Sequence, residues 1–376
     1  MRKLNLLLAI GCLLAIHSCQ KETVAPLPEL STITTETTDE SLYFKINTVE
    51  DLATFEELFV QNGSAVSRSN LHGKIVHVPN NSKNALQAAI ADAGRYGLVV
   101  LAKGSHYEEE TIVIDHPVYI LGRKGAMIIA GSELSDVGVI NPIFSIRQTT
   151  RVTIWGVAMQ GKEGGSSAAI EILNATHTVL SKNTINNFQL GIMVNEGDHT
   201  LCWKNEIVGG VNFPITVGMG IINGVDIRIL QNKITGFGFG FVGGGQDGII
   251  QGNELFGNQT GLSLSNIPPV IETSEGNIVG AKVPPANCSV HNNYAHDNQF
   301  AGIELVDGVN NNTLINNRGG NNAIDLVLDA DGFNILGIPT KATFDNFVDV
   351  RDNTDFTYVD CGNNNRVKGG VQIPCN

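Results

Sequence analysis

Two carboxylates occupy the same place in two similar phrases of the sequence, Gly302-Ile-Glu-Leu305 and Ala323-Ile-Asp-Leu326. If these phrases form neighbouring parallel strands, Glu304 and Asp325 lie about 5 Å apart. Carboxyl groups about 5–5.5 Å apart suit a retaining glycosidase, in which one is the nucleophile and the other the acid. The sequence therefore predicts Glu304 and Asp325 as a catalytic pair. His296 is a third candidate, as the base of a lyase-type cleavage.

A short acidic phrase follows, Asp329-Ala-Asp331-Gly-Phe-Asn334. Its side-chain oxygens are the ligands that calcium prefers, so calcium is the one cofactor the sequence suggests, bound by Asp329, Asp331 and Asn334. The phrase lacks the third aspartate and the downstream glutamate of an EF-hand. A solvated acidic face with no ligand is the alternative that these residues leave open.

A recurring phrase built on asparagine determines where such residues lie. It consists of Asn, any residue, a small aliphatic residue, any residue and then Gly, Asn or Asp, and its anchors are Asn183, Asn205, Asn232, Asn253, Asn293 and Asn317. A period in the low twenties, made of short β-prone runs and turn residues, is typical of a solenoid. We expect the anchors to stack as a ladder in one turn. The aliphatic residues two positions on then point into the core, at Ile185, Ile207, Ile234 and Leu255.

The spacing between Asn253 and Asn293 is 40 residues, about twice the usual repeat. It predicts an inserted loop, which the proline-rich stretch 267–286 would form. Loops that leave a rigid scaffold are common places for functional sites.

Three further columns follow from the same register. Alternating charges one residue after each anchor predict a salt-bridge ladder, in Thr184, Glu206, Lys233, Glu254, Tyr294 and Arg318. A second column lies six residues before each anchor and consists of His177, His199, Asp226, Asp247, Asn287 and Asn311. These residue types suit either a metal site or turns, and we favour turns. The third column is an apolar strip that faces outward, at Val179, Leu201, Trp203, Leu230, Ile249 and Ile315. An exposed apolar strip requires either a covering segment or self-association.

The N-terminus has a basic start and an apolar run, Leu4 to Ile16, which predicts a signal peptide over residues 1–18. The phrase Ile16-His-Ser-Cys19 resembles a bacterial lipoprotein box, which implies lipid attachment at Cys19. The phrase Cys19-Gln-Lys-Glu22 resembles the acidic signal that sends lipoproteins of some glycan-foraging Gram-negative bacteria to the cell surface, which implies an outer-membrane protein facing outward. Residues 19–40 read as a flexible tether. Residues 41–96 form a capping segment with short helices, one near Leu52–Phe59 and one over 84–96 with Ser82 as N-cap.

The stretch from Asn84 to Gly122 resembles the entry to the right-handed parallel β-helices of the pectate-lyase-like superfamily. The shared features are a capping helix, a strand ending Gly104-Ser-His-Tyr107, an x-Ile-x-Ile strand and a strand closing in Leu121-Gly122. The later repeats resemble that family's tandem β-helix repeats. The resemblance implies an all-β chain, a right-handed parallel β-helix over 97–376 with an N-terminal helical cap. It does not specify a reaction.

Four cysteines remain beyond Cys12 and Cys19. Cys361 and Cys375 are close in sequence, in a compartment that permits oxidation, so we predict a disulfide that fixes the tail. Cys202 and Cys288 fall at inward positions and are expected to be buried free thiols.

Two functions remain compatible with the sequence. The first is a surface-anchored protein that binds extracellular polysaccharide and, as a further hypothesis, cleaves it as a hydrolase or lyase. The second is a non-catalytic surface protein for glycan binding, adhesion or outer-membrane structure. The net charge of −13 and the lack of a basic stripe argue against nucleic acid as a partner.

Overall fold

The computed structural model describes residues 73–131, 134, 141–162, 166–210, 216–267, 271–329 and 341–375. The predicted signal peptide, Cys19, the tether and the first helix lie outside these ranges, as do Asp331 and Asn334. The structure from Gly73 onward is one compact unit.

Within the described residues, the strands form three parallel sheets. Sheet A has twelve strands, β1 (Ile75–Val78), β2 (Gly97–Leu101), β5 (Val118–Gly122), β8 (Thr153–Trp155), β11 (Val179–Ser181), β14 (Leu201–Trp203), β17 (Arg228–Leu230), β20 (Ile249–Gln251), β25 (Ser289–His291), β28 (Thr313–Ile315), β31 (Phe347–Asp349) and β33 (Arg366–Lys368). Sheet B has nine, β3 (Gly104–Glu108), β6 (Ala126–Ala130), β9 (Ala158–Gln160), β12 (Thr184–Asn186), β15 (Glu206–Val208), β18 (Lys233–Thr235), β21 (Glu254–Phe256), β26 (Tyr294–His296) and β29 (Arg318–Gly320).

Sheet C has eleven strands, β4 (Ile112–Ile114), β7 (Pro142–Arg147), β10 (Ser166–Leu173), β13 (Phe188–Asn195), β16 (Val217–Val225), β19 (Phe239–Gln246), β22 (Thr260–Ser265), β27 (Ala301–Val306), β30 (Ile324–Leu328), β32 (Thr357–Asp360) and β34 (Val371–Ile373). The chain visits A, B and C in turn, so each circuit is one coil. Each strand pairs in parallel with its equivalents in the neighbouring coils. The fold is therefore an all-β right-handed parallel β-helix, as the sequence predicts.

The predicted insertion leaves the coil after β22 and returns at β25. It contains a short antiparallel hairpin, β23 (Ile271–Glu272) paired with β24 (Ile278–Val279).

One helix, α1 (Leu86–Ala93), covers the N-terminal end of the described coils. Its predicted apolar stripe is buried, and consists of Leu86, Ala89, Ile90 and Ala93. Ser82 is not its N-cap, so that prediction was wrong. The cap position is Ala85, and the carboxylate of Glu108 on β3 accepts from the backbone N–H groups of Ala85 (3.1 Å) and Leu86 (3.2 Å). Burial raises the pKa of Glu108, and these two bonds partly offset the rise.

The core fills the inside of the coils with aliphatic side chains. The predicted inward residues are almost fully buried, at Ile185, Ile207, Ile234 and Leu255. Strand β1, within the predicted capping segment, already pairs with β2. Sheet A therefore begins before residue 97.

The predicted asparagine ladder is confirmed at the corner between sheets A and B. Each side-chain amide donates to the next anchor's Oδ1, for example Asn205 to Asn232 at 2.9 Å and Asn253 to Asn293 at 2.9 Å. Each also donates to a main-chain carbonyl of the preceding coil, as Asn232 does to Cys202 at 2.9 Å. These buried amides are thus well satisfied, which burial requires.

Two more ladders were not predicted. Asn258, Asn298 and Asn322 stack at the corner between sheets B and C. Asn312, Asn346 and Asn365 stack at the corner between sheets C and A. A sequence signal exists for the first of these, because its members follow the anchors Asn253, Asn293 and Asn317 by five residues each.

Cys361 and Cys375 form a disulfide with an S–S distance of 2.06 Å. Cys202 and Cys288 are free and buried. Burial raises the pKa of Cys202 to about 12, so this thiol stays protonated and unreactive near neutral pH.

The part of the chain that the structure describes contains no helix long and apolar enough to cross a membrane.

Candidate functional site

The register of sheet C separates the two predicted catalytic carboxylates. Glu304 pairs with Ser263 on the coil before it and with Val327 on the coil after it. Asp325 therefore lies opposite Gly302, two positions away along the strand. Glu304 follows Asn298 by six residues, whereas Asp325 follows Asn322 by three, so the two phrases are not in equivalent positions once these asparagines stack. The predicted column with Glu304 and Asp325 side by side was wrong.

Asp325 has a structural role. Its carboxylate accepts from the side-chain amide of Asn322 (2.9 Å), the backbone N–H of Thr357 (2.9 Å) and the Thr357 hydroxyl (3.2 Å). Gly319 stands at the inward position where the preceding coil has Ala295 and the coils before that have larger apolar residues, such as Leu255 and Ile234. A β-carbon there would come within 2.1 Å of Asp325 Oδ1. Asp325 thus fills the space that a larger core residue would take.

Glu304 lies on the outer face of sheet C and is only 8% exposed. Burial raises its pKa to about 7, and the nearby charge of Asp307 adds to the rise. The Ser263 hydroxyl beside the carboxyl partly offsets the rise in pKa, by more than Asp307 adds, although it makes no hydrogen bond of normal geometry. Asp307 is also buried and accepts from the Ser265 hydroxyl at 3.3 Å.

The insertion lies on the outer face of sheet C. At the tip of its hairpin, both the backbone N–H (3.0 Å) and the hydroxyl of Ser274 donate to the buried Glu171 carboxylate. Ser145 also donates to Glu171, at 3.2 Å. Arg147 donates to Ser274 (2.9 Å) and forms an ion pair with Glu275 (3.5 Å). We call these groups the clasp.

Further contacts hold the insertion along several coils. Asn223 on β16 donates to the Gly280 carbonyl at 2.9 Å, and Lys282 forms an ion pair with Glu196. Ile267 packs with a small apolar cluster on the outer face of sheet C, made of Met193, Val217, Ile222 and Val242. The outer face of sheet C between β7 and β19 is therefore a covered surface.

The outer face of sheet B has a different character. The predicted salt-bridge ladder reduces here to one ion pair within its column, Lys233 with Glu254 at 3.4 Å. Glu254 also approaches His296 Nε2 at 3.3 Å, and Asp297 approaches His296 Nδ1 at 2.6 Å. Both ring nitrogens of His296 therefore face carboxylates. With neither nitrogen free, His296 does not have the geometry of a general base.

Aromatic rings stack around His296. The ring of Tyr294 lies 4.1 Å from it, centroid to centroid, and the ring of Phe256 lies 5.3 Å away. Tyr294 is 42% exposed. It borders a cleft of about 640 Å³ with mostly polar walls, lined by Asn292, Tyr294, Asn316, Arg318, Asp352 and Asn353 among others. Sheet B ends at β29, so the next coil has no sheet B strand beside it. Residues Val350, Asp352 and Asn353 of that coil also line the cleft.

The remaining predicted columns are structural. Every member of the His–Asp–Asn column has a positive φ between 50° and 57°, as the turn interpretation requires, at His177, His199, Asp226, Asp247, Asn287 and Asn311. Four residues of the apolar strip are at most 8% exposed, namely Val179, Leu201, Trp203 and Leu230. Ile315 is exposed. The predicted cover and self-association stay predictions.

Of the predicted calcium ligands only Asp329 is described. No group of three or more His, Cys, Asp or Glu side chains suited to a metal occurs within the described ranges.

A family model described as right handed beta helix region matches residues 168–348. Comparison with curated proteins finds no match. The chain is similar to the structure of endo-xylogalacturonan hydrolase from Aspergillus tubingensis, at 11% identity and a TM-score of 0.54, over 80% of this chain and 95% of that one.

A second similar structure is the mannuronan C-5 epimerase A-module from Azotobacter vinelandii. It is 12% identical with a TM-score of 0.50, over 78% of this chain and 92% of that one. At such identities the similarity concerns the fold alone.

Proposed function

We propose that this protein binds a polysaccharide at the C-terminal edge of sheet B, in the cleft beside Tyr294. The observation that carries the proposal is an exposed Tyr294 ring, held by stacking on His296, at the edge of a cleft with polar walls. His296 is itself fixed by Glu254 and Asp297. The ring is thus pre-organised, which lowers the entropic cost of binding.

The chemistry of the cleft suits a sugar chain. A sugar ring has an apolar face that can lie on an aromatic ring and a rim of hydroxyls that need hydrogen-bond partners. Amide side chains supply both donors and acceptors, and a guanidinium supplies several fixed donors. The cleft offers these groups in Asn292, Asn316, Asn353 and Arg318.

The comparisons support a carbohydrate partner at the level of class. Two of the similar structures, each with a TM-score of at least 0.50, are a hydrolase and an epimerase named for polysaccharides. The same fold therefore presents polysaccharide sites in other proteins. Fold similarity alone does not transfer a reaction.

We assign binding rather than cleavage, the alternative that the sequence left open. Cleavage needs an acid–base pair on the ligand side. Among the described residues of the cleft no such pair occurs, since Asp352 is the one carboxylate that lines it. Asp325 is occupied by three donors and His296 by two carboxylates.

The predicted lipid at Cys19 and the tether over 19–40 complete the proposal. They would hold the β-helix at the outer surface of the outer membrane, where extracellular polysaccharide is accessible. Metabolic labelling with a fatty-acid analogue tests this part, since Cys19→Ser should abolish labelling.

The binding test uses the full secreted chain with Cys19→Ser and a panel of soluble polysaccharides in affinity electrophoresis. We expect Tyr294→Ala to weaken binding at least tenfold. The matched control is Tyr107→Ala, because Tyr107 lies on β3 of the same sheet and is similarly exposed, at 45%. Reducing ends and unsaturated products are recorded in the same samples, with and without calcium.

Retention of full affinity in Tyr294→Ala, or equal loss in both variants, would refute the site. Turnover that disappears in Glu304→Gln would instead support an enzyme acting on sheet C.

A further inference from the structure

We infer that His296 is a positioning residue of the cleft: it is held as an imidazolium ion and orients the Tyr294 ring, so that polysaccharide binding weakens as the pH rises. The inference rests on the proposed polysaccharide site. The charge of His296 and its effect on Tyr294 can nevertheless be measured without a polysaccharide, so the two proposals are tested separately.

The hydrogen-bond partners of His296 require two donors on one ring. Its Nε2 lies 3.3 Å from a carboxylate oxygen of Glu254 on β21, and its Nδ1 lies 2.6 Å from a carboxylate oxygen of Asp297, directly after β26. A carboxylate only accepts. A neutral imidazole donates from one nitrogen alone, whereas an imidazolium donates from both. Both contacts are therefore hydrogen bonds only when His296 is charged.

The acceptor at Nδ1 is secured as a carboxylate. The hydrogen bond with His296 holds the pKa of Asp297 below its usual range. The side-chain amide of Asn321, which donates to the other Asp297 oxygen at 2.9 Å, adds to this effect. Asp297 thus stays an acceptor on both of its oxygens, and the nitrogen that faces it has to donate.

The charged groups around His296 come from three neighbouring strands and the turn after β26. Glu254 on β21 shares its two oxygens between His296 and Lys233 on β18, whose Nζ lies 3.4 Å away. Strand β29 places Gly320 opposite His296 and its cation, Arg318, two positions away. Among the described residues, the charges in direct contact with the imidazole are therefore both negative, on Glu254 and Asp297.

The charged ring in turn fixes the position of Tyr294. The His296 ring stacks with the Tyr294 ring at 4.1 Å and with the Phe256 ring at 5.3 Å, centroid to centroid. An aromatic face attracts a cation, more strongly where water is excluded, and the His296 side chain is only 15% exposed. Loss of the proton removes one hydrogen bond from the imidazole and this attraction from Tyr294. The Tyr294 ring is then free to turn.

The first test follows both rings by NMR. The full secreted chain with Cys19→Ser carries ¹⁵N-labelled histidine and ring-¹³C-labelled tyrosine, and the variants His296→Gln and Tyr294→Phe assign the two sets of signals. We expect both His296 nitrogens to be protonated at about pH 5.5, and one of them to lose its proton towards about pH 9. The Tyr294 ring signals should shift in step with this loss, and should stay unchanged over the same range in His296→Gln.

The second test measures affinity by isothermal titration at the same two pH values. The probe is the polysaccharide that retards the wild-type chain most in affinity electrophoresis. Wild-type binding should weaken about tenfold at the higher pH, because a loosened ring has to be ordered on binding. His296→Arg should bind equally at both, since a guanidinium is always charged, donates several N–H groups and stacks on aromatic rings.

The matched control is His199→Asn. His199 also faces a carboxylate, Asp226 at 4.0 Å, and stacks on a ring, His177 at 4.7 Å, but at the corner between sheets C and A. Asparagine tolerates the positive φ of this position. The control should keep the wild-type dependence on pH.

A single protonated His296 nitrogen at the lower pH, or Tyr294 signals that do not follow His296, would overturn the inference. Equal wild-type affinity at both pH values would also overturn it. So would a pH dependence that His296→Arg retains, since ionisation of the polysaccharide itself would then account for it. If no polysaccharide of the panel binds at either pH, the proposed function fails, and the NMR titration alone decides the role of His296.

Discussion

The outer faces of sheets B and C are made by the same coils, yet they treat charged side chains differently. On sheet B, Lys233 and Arg318 are exposed and Glu254 is half-buried, and Lys233 forms an ion pair with Glu254 across neighbouring coils. On sheet C, Glu171 and Glu304 are buried, one under the clasp and one beside Asp307. The insertion between β22 and β25 causes much of this difference, because it covers sheet C from β7 to β19.

The comparison shows that an outward position in a β-helix has no fixed environment. Carboxylates in equivalent positions are solvated on one face and desolvated on the other. Exposed ion pairs contribute little to stability, whereas a buried carboxylate must have donors, a cation or a proton. The four predictions below test this contrast.

The largest effect is expected for Glu171→Ala. The substitution removes the acceptor of the Ser274 N–H group and of the Ser145 and Ser274 hydroxyls, beneath the insertion. It should lower the free energy of unfolding by about 4 kcal/mol. Urea denaturation measures it, and limited proteolysis should show cleavage near Gly276. Glu206→Ala on exposed β15 is the control, with an expected change below about 0.5 kcal/mol. Similar losses in both variants would contradict the contrast between the faces.

The next effect concerns pH. Because the pKa of Glu304 is about 7 in the folded chain and near 4.5 when exposed, the folded state holds this proton more tightly. The free energy of unfolding should therefore fall as pH rises from about 4.5 to 7. Glu304→Gln, which is always neutral, should be more stable than wild type at pH 8 by about 3 kcal/mol. Both chains should be similar at pH 4.

Thermal unfolding across this pH range provides the measurement. A wild-type profile parallel to that of Glu304→Gln would show that Glu304 ionises without cost.

A smaller effect is expected for Arg147→Gln. Its guanidinium is half-buried and bonds Ser145, Ser274 and Glu275, so its loss should cost about 1–2 kcal/mol. It should also speed amide exchange in the hairpin, which hydrogen-exchange mass spectrometry can follow. The counterpart Arg318→Gln on sheet B should leave stability unchanged and weaken only polysaccharide binding. Unaltered exchange at the hairpin would mean that Ser274 and Glu171 hold it alone.

The smallest effect is expected for Lys233→Gln. Its ion pair with Glu254 is exposed, so the change should be below about 0.5 kcal/mol and should vanish at 1 M salt. Urea denaturation at two salt concentrations checks this. A loss above 1 kcal/mol would show that the Lys233–Glu254–His296 contacts act as a network.

Much of the scaffold is predictable from sequence because its rules are local and periodic. The spacing of Asn205, Asn232 and Asn253 determines the coil length, and the aliphatic residue two positions later identifies the core. The buried apolar stripe of α1 is predictable in a similar way, from the helical spacing of its residues.

The candidate sites are less predictable because they depend on contacts between distant segments. Nothing in the sequence period says that Ser274 meets Glu171, 103 residues earlier. The phrase that Glu304 and Asp325 share predicts one column, but they follow the stacked Asn298 and Asn322 by different numbers of residues and lie in different columns. Trp155, at an outward position of β8, is only 3% exposed, since burial of an outward residue depends on what covers it.

The three asparagine ladders differ in extent. The ladder between sheets A and B ends at Asn317, in the last coil that has a sheet B strand. The ladder between sheets C and A runs through Asn312, Asn346 and Asn365, into the final coils. If the molecule were pulled along its axis, the ladder between sheets A and B would carry the load up to Asn317. Beyond that point, near β28, the ladder between sheets C and A would carry it. A pulled molecule should rupture in two events, with the terminal coils, closed by the Cys361–Cys375 bond, separating as one unit.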